Sequence, residues 1–391
     1  MLAATLRITR DFDVAEECVQ DAFARALATW GENGVPANPG AWLTTVARRR
    51  AIDLGRRRDV AVRSQHLLVV DNAGSDETPT DSGFVDDRLR LIFTCCHPTL
   101  SLDTQVALSL RMLCGLSTAE VAKAFLVKES AMAARITRAK KKIALARIPY
   151  RVPDRSELRG RIDAVLLVVH LLFTTGHTAP VGDNLSQGDL VERSIDLARM
   201  LHTLLPDDAE VASLLALILL TDSRRSTRIG PGGEFLALAD QDRSKWHRDA
   251  IDEGLDLVGA SIRRGRPGRF TLMAAIAAVH SSTPHWDETD WAEIVGLYDL
   301  LLDAWPSPVV ALNRAVAVSF ADGPLAGLEA IDALSTDPQL STYPYVAAAR
   351  GDCLERLERF AEAREAFEEA ALLTENMVER DFMRSRAALL A

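Results

Sequence analysis

Apolar residues recur along this chain at helical spacing, and no alternating strand pattern persists beyond a few residues. Over Asp13–Trp30 they fall three and four positions apart, which places them on one broad face. Asp13 followed by Glu16 resembles the capping box that begins a helix. The pattern predicts an all-α fold whose first amphipathic helix begins near Asp13. Its expected buried residues are Ala15, Val19, Ala22, Phe23, Ala26, Leu27 and Trp30.

Loop and capping residues follow this helix. Gly31–Asn38 contains two glycines and a proline and predicts a loop. Asn38 and Pro39 then supply the N-cap and the first residue of a second helix. That helix is expected to bury Trp42 and Val46, and it leads into an arginine-rich segment.

The segment Asp71–Gly83 is polar and acidic and has no large apolar residue, which predicts a flexible linker. A further boundary is expected at Arg151-Val152-Pro153, beyond which helical patterns continue to the end. We therefore expect two small helical domains joined by the linker and followed by a long helical extension. The predicted bounds are 1–60 for the first domain, 61–84 for the linker, 85–150 for the second domain and 157–391 for the extension.

The segment Gly115–Ile143 carries the strongest local signal. Ser117 and Glu120 form a capping box, a short helix and a tight corner follow, and a second helix is expected from about Glu129. Val121, Ala122 and Phe125 are expected to face inward. This order of a short helix, a tight turn and a longer helix is typical of a DNA-binding helix-turn-helix. The alternative is a surface helical hairpin whose basic end is solvated.

Charge is distributed unevenly. The chain has 45 basic and 55 acidic residues and a net charge of −10. Up to Pro149 there are 21 basic and 17 acidic residues, which leaves 24 basic and 38 acidic residues after it. The first part therefore carries +4, clustered around Arg48–Arg58 and Lys123–Arg147, and the rest carries −14. Local basic patches attract phosphate whatever the total charge, so nucleic acid is an expected partner of the first part only.

A repeat is expected near the end of the chain. Gly351, Ala363, Phe367 and Ala370 have the spacings of the small, small, aromatic and small positions of a tetratricopeptide unit. A degenerate copy with the same spacings lies 36 residues earlier. Its residues are Ala315, Gly327, Ile331 and Leu334.

Enzyme and metal chemistry find little support. Cys95-Cys96-His97 has no second Cys or His pair at a zinc-ligand spacing, so packing at a helix start is favoured over a metal site. Asp240–Arg243 with Trp246 suggests either a ligand cluster or, preferably, a capped helix start with an ion pair. Ser223–Glu234 suggests either an anion-binding loop or, preferably, an ordinary loop that lacks the P-loop ending. We expect no enzyme activity, no metal and no cofactor.

Gly115–Ile143 resembles the promoter −35-binding domain of extracytoplasmic-function sigma factors, whose pattern is LSxxEIAxxLxxSxxTVKSRLxRAxxxL. The matching residues are Leu116, Ser117, Glu120, Val121, Ala122, Ser130, Arg135, Arg138, Ala139 and Ile143. Ala131, Ala133 and Ala134 depart from the pattern, which usually has polar residues there. The resemblance implies that eight residues bind the −35 element: Lys128, Ser130, Ala131, Arg135, Arg138, Lys140, Lys141 and Lys142.

The first domain resembles the sigma domain that reads the −10 element. Asp13–Trp30 is similar to the helix that docks on the polymerase clamp, and Asn38–Asp53 is similar to the helix after it, with Arg49 in place of the usual Asn. The resemblance implies clamp contacts by Glu17, Gln20, Asp21 and Arg25. It implies −10 DNA contacts by Asn33, Val35, Asn38, Trp42, Arg48, Arg49, Arg50, Arg56 and Arg57. Trp42 is either a stacking platform for a flipped base or a core residue, and its place beside Val46 favours the core.

The family normally has a further helix before the one near Asp13, and Met1–Arg10 matches part of it. We expect either a late start or a shortened clamp-binding surface. From about Glu157 onward the chain resembles a subgroup of these sigma factors with a tetratricopeptide-like extension. The matching phrases are LPDDAEVASLLALILL, DQDRSKW, AAIAAVH, SPVVALNRAVAV and ADGPLAG, and FTCCHP (Phe93–Pro98) before this region is also typical of the subgroup.

These resemblances predict a cytoplasmic sigma factor that binds the clamp and flap of core RNA polymerase and the −10 and −35 promoter elements. A possible regulator would act on the extension, and no membrane partner is expected. One alternative is a stand-alone helix-turn-helix regulator with a helical-repeat sensor, which leaves Asp13–Asp53 without a role. Another is an enzyme within Glu157–Leu390, for which no nucleophile–base pair is visible.

Overall fold

The computed structural model describes residues 1–65, 82–125, 127–158, 160–178 and 188–390. Throughout these residues the fold is all-α, as predicted, and an isolated β bridge joins Ile229 to Phe235. Contacts divide the chain into two compact units, Met1–Val168 and Val169–Ala391. Most of the predicted linker, from 66 to 81, lies outside the described residues. In the described part, no helix is long and apolar enough to cross a membrane.

Unit 1 contains two groups of helices. The first group is α1 (Leu2–Thr9), α2 (Phe12–Asn33) and α3 (Pro39–Gln65). The second group is α4 (Ser82–Cys95), α5 (Leu102–Met112), α6 (Thr118–Ala124), α7 (Glu129–Leu145) and the single turn α8 (Arg155–Leu158). The division between the units falls within α9 (Ile162–His177).

The ends of α2 differ from the prediction. Its N-cap is Asp11, whose side chain accepts hydrogen bonds from the amides of Asp13 and Val14 at 2.9 and 3.1 Å. The predicted capping box of Asp13 and Glu16 was therefore wrong, because an earlier aspartate already satisfies the free amides of the first turn. The helix continues to Asn33, so the loop is shorter than predicted. Asn38 caps α3 as expected, since its Oδ1 accepts from the amide of Ala41 at 3.0 Å.

The buried face of α2 is narrower than predicted. Ala15, Ala22 and Ala26 are buried, but the side chains of Phe23 and Leu27 are 50% and 85% exposed. The prediction that these two residues pack inward was wrong, because the buried face of α2 is formed by other residues, among them Val14, Cys18 and the three alanines. Two large apolar side chains are consequently left facing solvent.

The helix-turn-helix is present. The side chain of Ser117 accepts from the amide of Glu120, and the Glu120 carboxylate accepts from the amide of Ser117, so the predicted capping box is confirmed. The hydrogen bond from the Ser117 amide, followed by interaction with the Ser117 side chain, lowers the pKa of the Glu120 carboxyl. The longer helix α7 begins at Glu129 as predicted. It is anchored by four buried residues: Met132, Ile136, Ala139 and Ile143.

Cys95 and Cys96 lie at the end of α4, where the sequence had suggested a helix start, and that detail was wrong. Both thiols are buried, and the Sγ of Cys96 lies 3.9 Å from the Ser109 hydroxyl. Burial raises the pKa of the Cys96 thiol to about 12, which disfavours the thiolate that binds metals. Among the described residues no group of His, Cys, Asp and Glu could hold a metal ion.

Unit 2 is a succession of helices, each packed against the next. After α9 come α10 (Gly188–Leu204), α11 (Ala209–Asp222), α12 (Arg248–Arg263), α13 (Arg269–Ser282), α14 (Trp291–Ala304), α15 (Pro308–Ala321), α16 (Pro324–Asp332), α17 (Pro344–Arg356), α18 (Phe360–Leu373) and α19 (Met377–Leu389). Short 3-10 turns lie at Arg225–Thr227, Leu238–Asp240, Arg243–Lys245 and Trp286–Glu288.

Both predicted repeats coincide with pairs of adjacent helices. At Gly351 of α17, an added Cβ would stand 2.9 Å from the ring of Phe367 in α18. At Gly327 of α16, an added Cβ would stand 2.2 Å from the Cβ of Ser319 in α15. The small residues therefore occupy points where the helices approach too closely for a side chain.

The segment between α11 and α12 is held by a buried arginine. The guanidinium of Arg243 donates to the carbonyl oxygens of His280 and Thr283, both at 2.8 Å. The preceding Asp242 caps a 3-10 turn and pairs with Lys245 at 3.1 Å, which agrees with the preferred structural interpretation of this segment.

A cross-helix cap gives a testable stability effect. The carboxylate of Glu210 in α11 accepts from the amides of Phe270 and Thr271 at 2.9 and 3.0 Å, so it satisfies the free amides at the start of α13. We expect Glu210→Ala to lower the free energy of unfolding of the extension by about 1–3 kcal/mol, because partly buried donors lose a charged acceptor. Chemical denaturation followed by circular dichroism measures this. The exposed Glu365→Ala serves as control, and an equal effect of both variants would contradict the assignment.

Candidate nucleic-acid interface

The outer face of α7 carries most of the residues implied for −35 binding. Ala131, Arg138 and Lys142 share one stripe, since they are spaced by seven and four residues, and all three are exposed. Lys128, Ser130 and Lys141 are exposed beside this stripe. Buried residues on the opposite side of α7 hold the helix in place, and on the outer face the Nζ of Lys142 also donates to the carbonyl oxygen of Thr99.

Arg135 lies at the edge of the same face. Its guanidinium carbon stands 5.6 Å from the centre of the Phe125 ring, at the corner between α6 and α7. A cation over an aromatic face gains roughly 0.5–1 kcal/mol at an exposed site. Phe125, which was expected to face inward, is half-buried and supports this arginine. The terminal nitrogens are thus presented in a restrained position at the start of the outer face.

Lys140 does not lie on the outer face of α7 with the other residues implied for −35 binding. It lies two positions after Arg138, which turns it by about 200° around the helix. Its Nζ donates to Asp13 Oδ1 at 3.0 Å and also to Glu16 Oε2, and its side chain is 13% exposed. The structure therefore uses Lys140 for an ion pair with α2, whereas Lys141 stays unpaired among the described residues.

The residues implied for −10 binding surround the loop between α2 and α3. Asn33 and Val35 are exposed, with Val35 at 65%, and Asn38 is engaged in capping α3. Trp42 is half-buried, and its ring meets the edge of Trp30 with 5.4 Å between the ring centres. It is therefore neither a core residue nor a free platform.

The arginines of α3 point in different directions. Arg49, Arg56 and Arg57 are exposed, and Arg48 is half-buried. Arg50 turns toward α2, where its Nε donates to Asp21 Oδ2 at 2.8 Å. Arg50 and Asp21 were assigned to DNA and to polymerase, but here they form an ion pair with each other.

The outer face of α2 holds the residues implied for clamp binding. Glu17, Gln20 and Arg25 are exposed, whereas Asp21 is half-buried by its ion pair. Leu27 follows Gln20 by seven residues and so belongs to the same outer side, with Phe23 next to it. Sequence reasoning missed these two as surface residues. A signal was present in the sequence, since the small residues Ala15, Cys18, Ala22 and Ala26 already form a continuous stripe at helical spacing.

The two helix groups of unit 1 contact each other through charged and polar side chains. Glu16 is held from the second group by Arg111 at 3.0 Å as well as by Lys140. The hydroxyl of Tyr150 lies 2.9 Å from the carbonyl oxygen of Ala3 and 3.0 Å from that of Asp87. Burial raises the pKa of Tyr150 well above its usual value, so this hydroxyl keeps its proton to donate. The first turns of α2 are therefore covered by the second helix group.

Comparison with known families matches this organisation. Residues 2–60 match sigma-70 region 2, and residues 90–143 match sigma-70 region 4. The chain belongs to the sigma-70 family. Members of this family are transcription initiation factors that act with core RNA polymerase on promoter DNA. The prediction of a sigma factor with a role in promoter recognition is thereby confirmed.

The remainder of the chain is similar to proteins without an assigned activity. Residues 161–262 match a family of unknown function, DUF6596. An uncharacterized protein of Rhizobium meliloti (strain 1021) is 41% identical over 395 residues, which cover 100% of this chain and 93% of that protein. The likeness thus includes the extension as well as the two sigma regions.

Proposed function

We propose that this chain is a sigma factor of the extracytoplasmic-function type whose helical extension regulates its activity. The observation that carries the proposal is the order of the two sigma-70 regions, of which region 2 ends at 60 and region 4 begins at 90. The intervening residues provide a linker and the start of α4, and they leave no length for a further sigma domain. A factor reduced to these two regions is what the resemblance implies.

The roles of individual residues follow from their exposure. On α7 we assign −35 base contacts to Arg135 and Arg138, and phosphate contacts to Lys141 and Lys142. Near the loop after α2 we assign −10 contacts to Val35, the half-buried Trp42 and the exposed arginines of α3. The assignment is supported by the exposure of these cations beside helices that are anchored by buried residues.

Polymerase binding is assigned to the outer face of α2, with Glu17, Gln20 and Arg25 joined by Phe23 and Leu27. Exposed large apolar residues rimmed by polar ones mark protein-binding surfaces. Since Lys140 and Arg111 hold the beginning of the same helix, the closed arrangement of unit 1 competes with docking. We infer that polymerase binding separates the two helix groups.

For the extension we propose a tetratricopeptide-like scaffold that receives a regulator. Its support is the succession of packed helix pairs and the close approaches at Gly327 and Gly351. The acidic balance after Pro149 favours either a partner with basic character or electrostatic screening of the DNA-binding faces.

Removal of residues 154–391 tests the regulatory role. We expect run-off transcription with purified core polymerase to change several-fold, because the extension either screens or braces the sigma regions. If it screens them, the truncated protein will also bind promoter DNA more tightly, and most strongly at low salt. Helical content and solubility of both proteins are compared by circular dichroism and gel filtration. Equal output from equally folded proteins would show that the extension does not regulate transcription.

A further inference from the structure

A cleft of about 660 Å³ opens in unit 1 between the ends of α1 and α7 and the start of α2. Its volume falls within the range of about 300–1,000 Å³ that small-molecule sites occupy. The floor includes Leu6, Phe12 and Ile143, which are at most 7% exposed. The cleft therefore has room for a compact organic molecule and offers it an apolar surface.

The rim of the cleft is cationic. Arg10, Lys141 and Arg147 line it and are exposed, and none of them forms an ion pair with any residue that the structure describes. Lys140 and Arg151 also line it, but both are already engaged by carboxylates. Three uncommitted positive charges thus surround one opening.

The cations of the cleft outnumber its acidic groups. The lining has two carboxylates, Asp11, which caps α2, and Asp13, which accepts from Lys140. Five cationic side chains line the same cleft, so its net charge is positive. A concave surface lined by one sign of charge concentrates its field and raises the local concentration of opposite charge.

The backbone at the rim explains the positions of two of these arginines. Arg10 and Arg147 have φ values of 51° and 47°, and each lies where a helix ends. A left-handed residue is a common helix terminator, and at both ends the arginine lines the cleft.

We propose that this cleft binds a small organic polyanion with a flat apolar body, of the chemical class of nucleoside triphosphates. The phosphates contact Arg10, Lys141 and Arg147, and the base packs on the apolar floor. Arg10 belongs to the first helix group, and the other two residues belong to the second, so the ligand bridges the groups and stabilises their closed arrangement. Inhibition of promoter binding would follow, and that consequence alone rests on the proposed function.

Isothermal titration of the full chain without polymerase tests binding directly. The probes are ATP, adenosine and inorganic triphosphate, at one ionic strength. We expect saturable binding of one ATP per chain, no binding of adenosine, and at least fivefold weaker binding of triphosphate, because only ATP uses both rim and floor. Absence of saturable ATP binding would overturn the proposal, and equal affinity for ATP and triphosphate would overturn the role of the floor.

A pair of double variants locates the site. Arg10→Asn with Arg147→Asn removes two rim charges, and asparagine is among the residues that best tolerate positive φ. Lys128→Asn with Arg138→Asn removes the same charge from the exposed surface of α7 away from the cleft. We expect the first pair to weaken ATP binding at least tenfold and the second to change it less than twofold. Equal weakening by both pairs would show unspecific attraction to a basic protein, and the site would be rejected.

Discussion

Leu27→Glu is expected to weaken binding to core RNA polymerase at least thirtyfold while leaving the fold intact. The side chain is 85% exposed on the outer face of α2, so a charged group there meets water in the free protein. In the complex it would be removed from water against the clamp. Loss of a central apolar contact costs about 2 kcal/mol or more, and an unpaired buried charge adds to that.

The measurement is affinity for core polymerase by surface-immobilised binding, with thermal unfolding as a check of the fold. A matched control is Leu372→Glu, because Leu372 is 83% exposed on α18 in the other unit. We expect the control to bind polymerase as the parent does. Unchanged affinity of Leu27→Glu would show that this face of α2 does not meet polymerase, and the assignment of Glu17 and Gln20 would be lost with it.

Phe23 and Leu27 also show where sequence reasoning reached its limit. Helical periodicity predicted α2, and the buried alanines lie on the predicted face. Periodicity alone, however, does not show how broad the buried face of a helix is, because that breadth depends on how the neighbouring helix packs against it. Here the buried face of α2 is formed by other residues, among them Cys18, Ala22 and Ala26, and the two large side chains remain in solvent. In a protein that binds a partner, apolar residues of the binding surface follow the same periodicity as core residues, so a prediction from the isolated chain assigns them to the core.

Ion pairs between segments that are distant in the sequence set a second limit on predicting the site residues from the sequence. The cap of α6, the bounds of α7 and the cap of α3 depend on residues within a few positions of one another, and the sequence predicted them. The pairs of Lys140 with Asp13 and of Arg50 with Asp21 join segments 127 and 29 residues apart. Lys140 was assigned to DNA because it lies in the recognition helix α7. Its side chain instead turns to α2, which lies beside α7 and supplies the carboxylates. Family resemblance supplied the roles, and packing decided which residues are free to perform them.

Loss of Arg135 and Arg138 is expected to abolish selective promoter use. Both arginines lie on or beside the outer face of α7, and a base-reading arginine is worth about 1–3 kcal/mol against the wrong base. We therefore expect the double variant Arg135→Ala, Arg138→Ala to reduce run-off transcription roughly a hundredfold or more on a −35-dependent promoter. Arg384→Ala removes an exposed arginine from α19 and should leave transcription unchanged.

Two further variants separate base reading from attraction to phosphate. Arg138→Lys keeps the charge but loses the planar pair of donors, so we expect affinity for random DNA to persist while promoter preference falls. Lys141→Ala with Lys142→Ala should weaken binding to all sequences equally and reduce the slope of log affinity against log salt by about 1 for each lysine that meets a phosphate. Competition footprinting of polymerase-bound protein at several salt concentrations measures both effects. If Arg138→Lys retained full promoter preference, this arginine would be a phosphate contact, and the base contacts of α7 would have to come from Ser130 or Arg135.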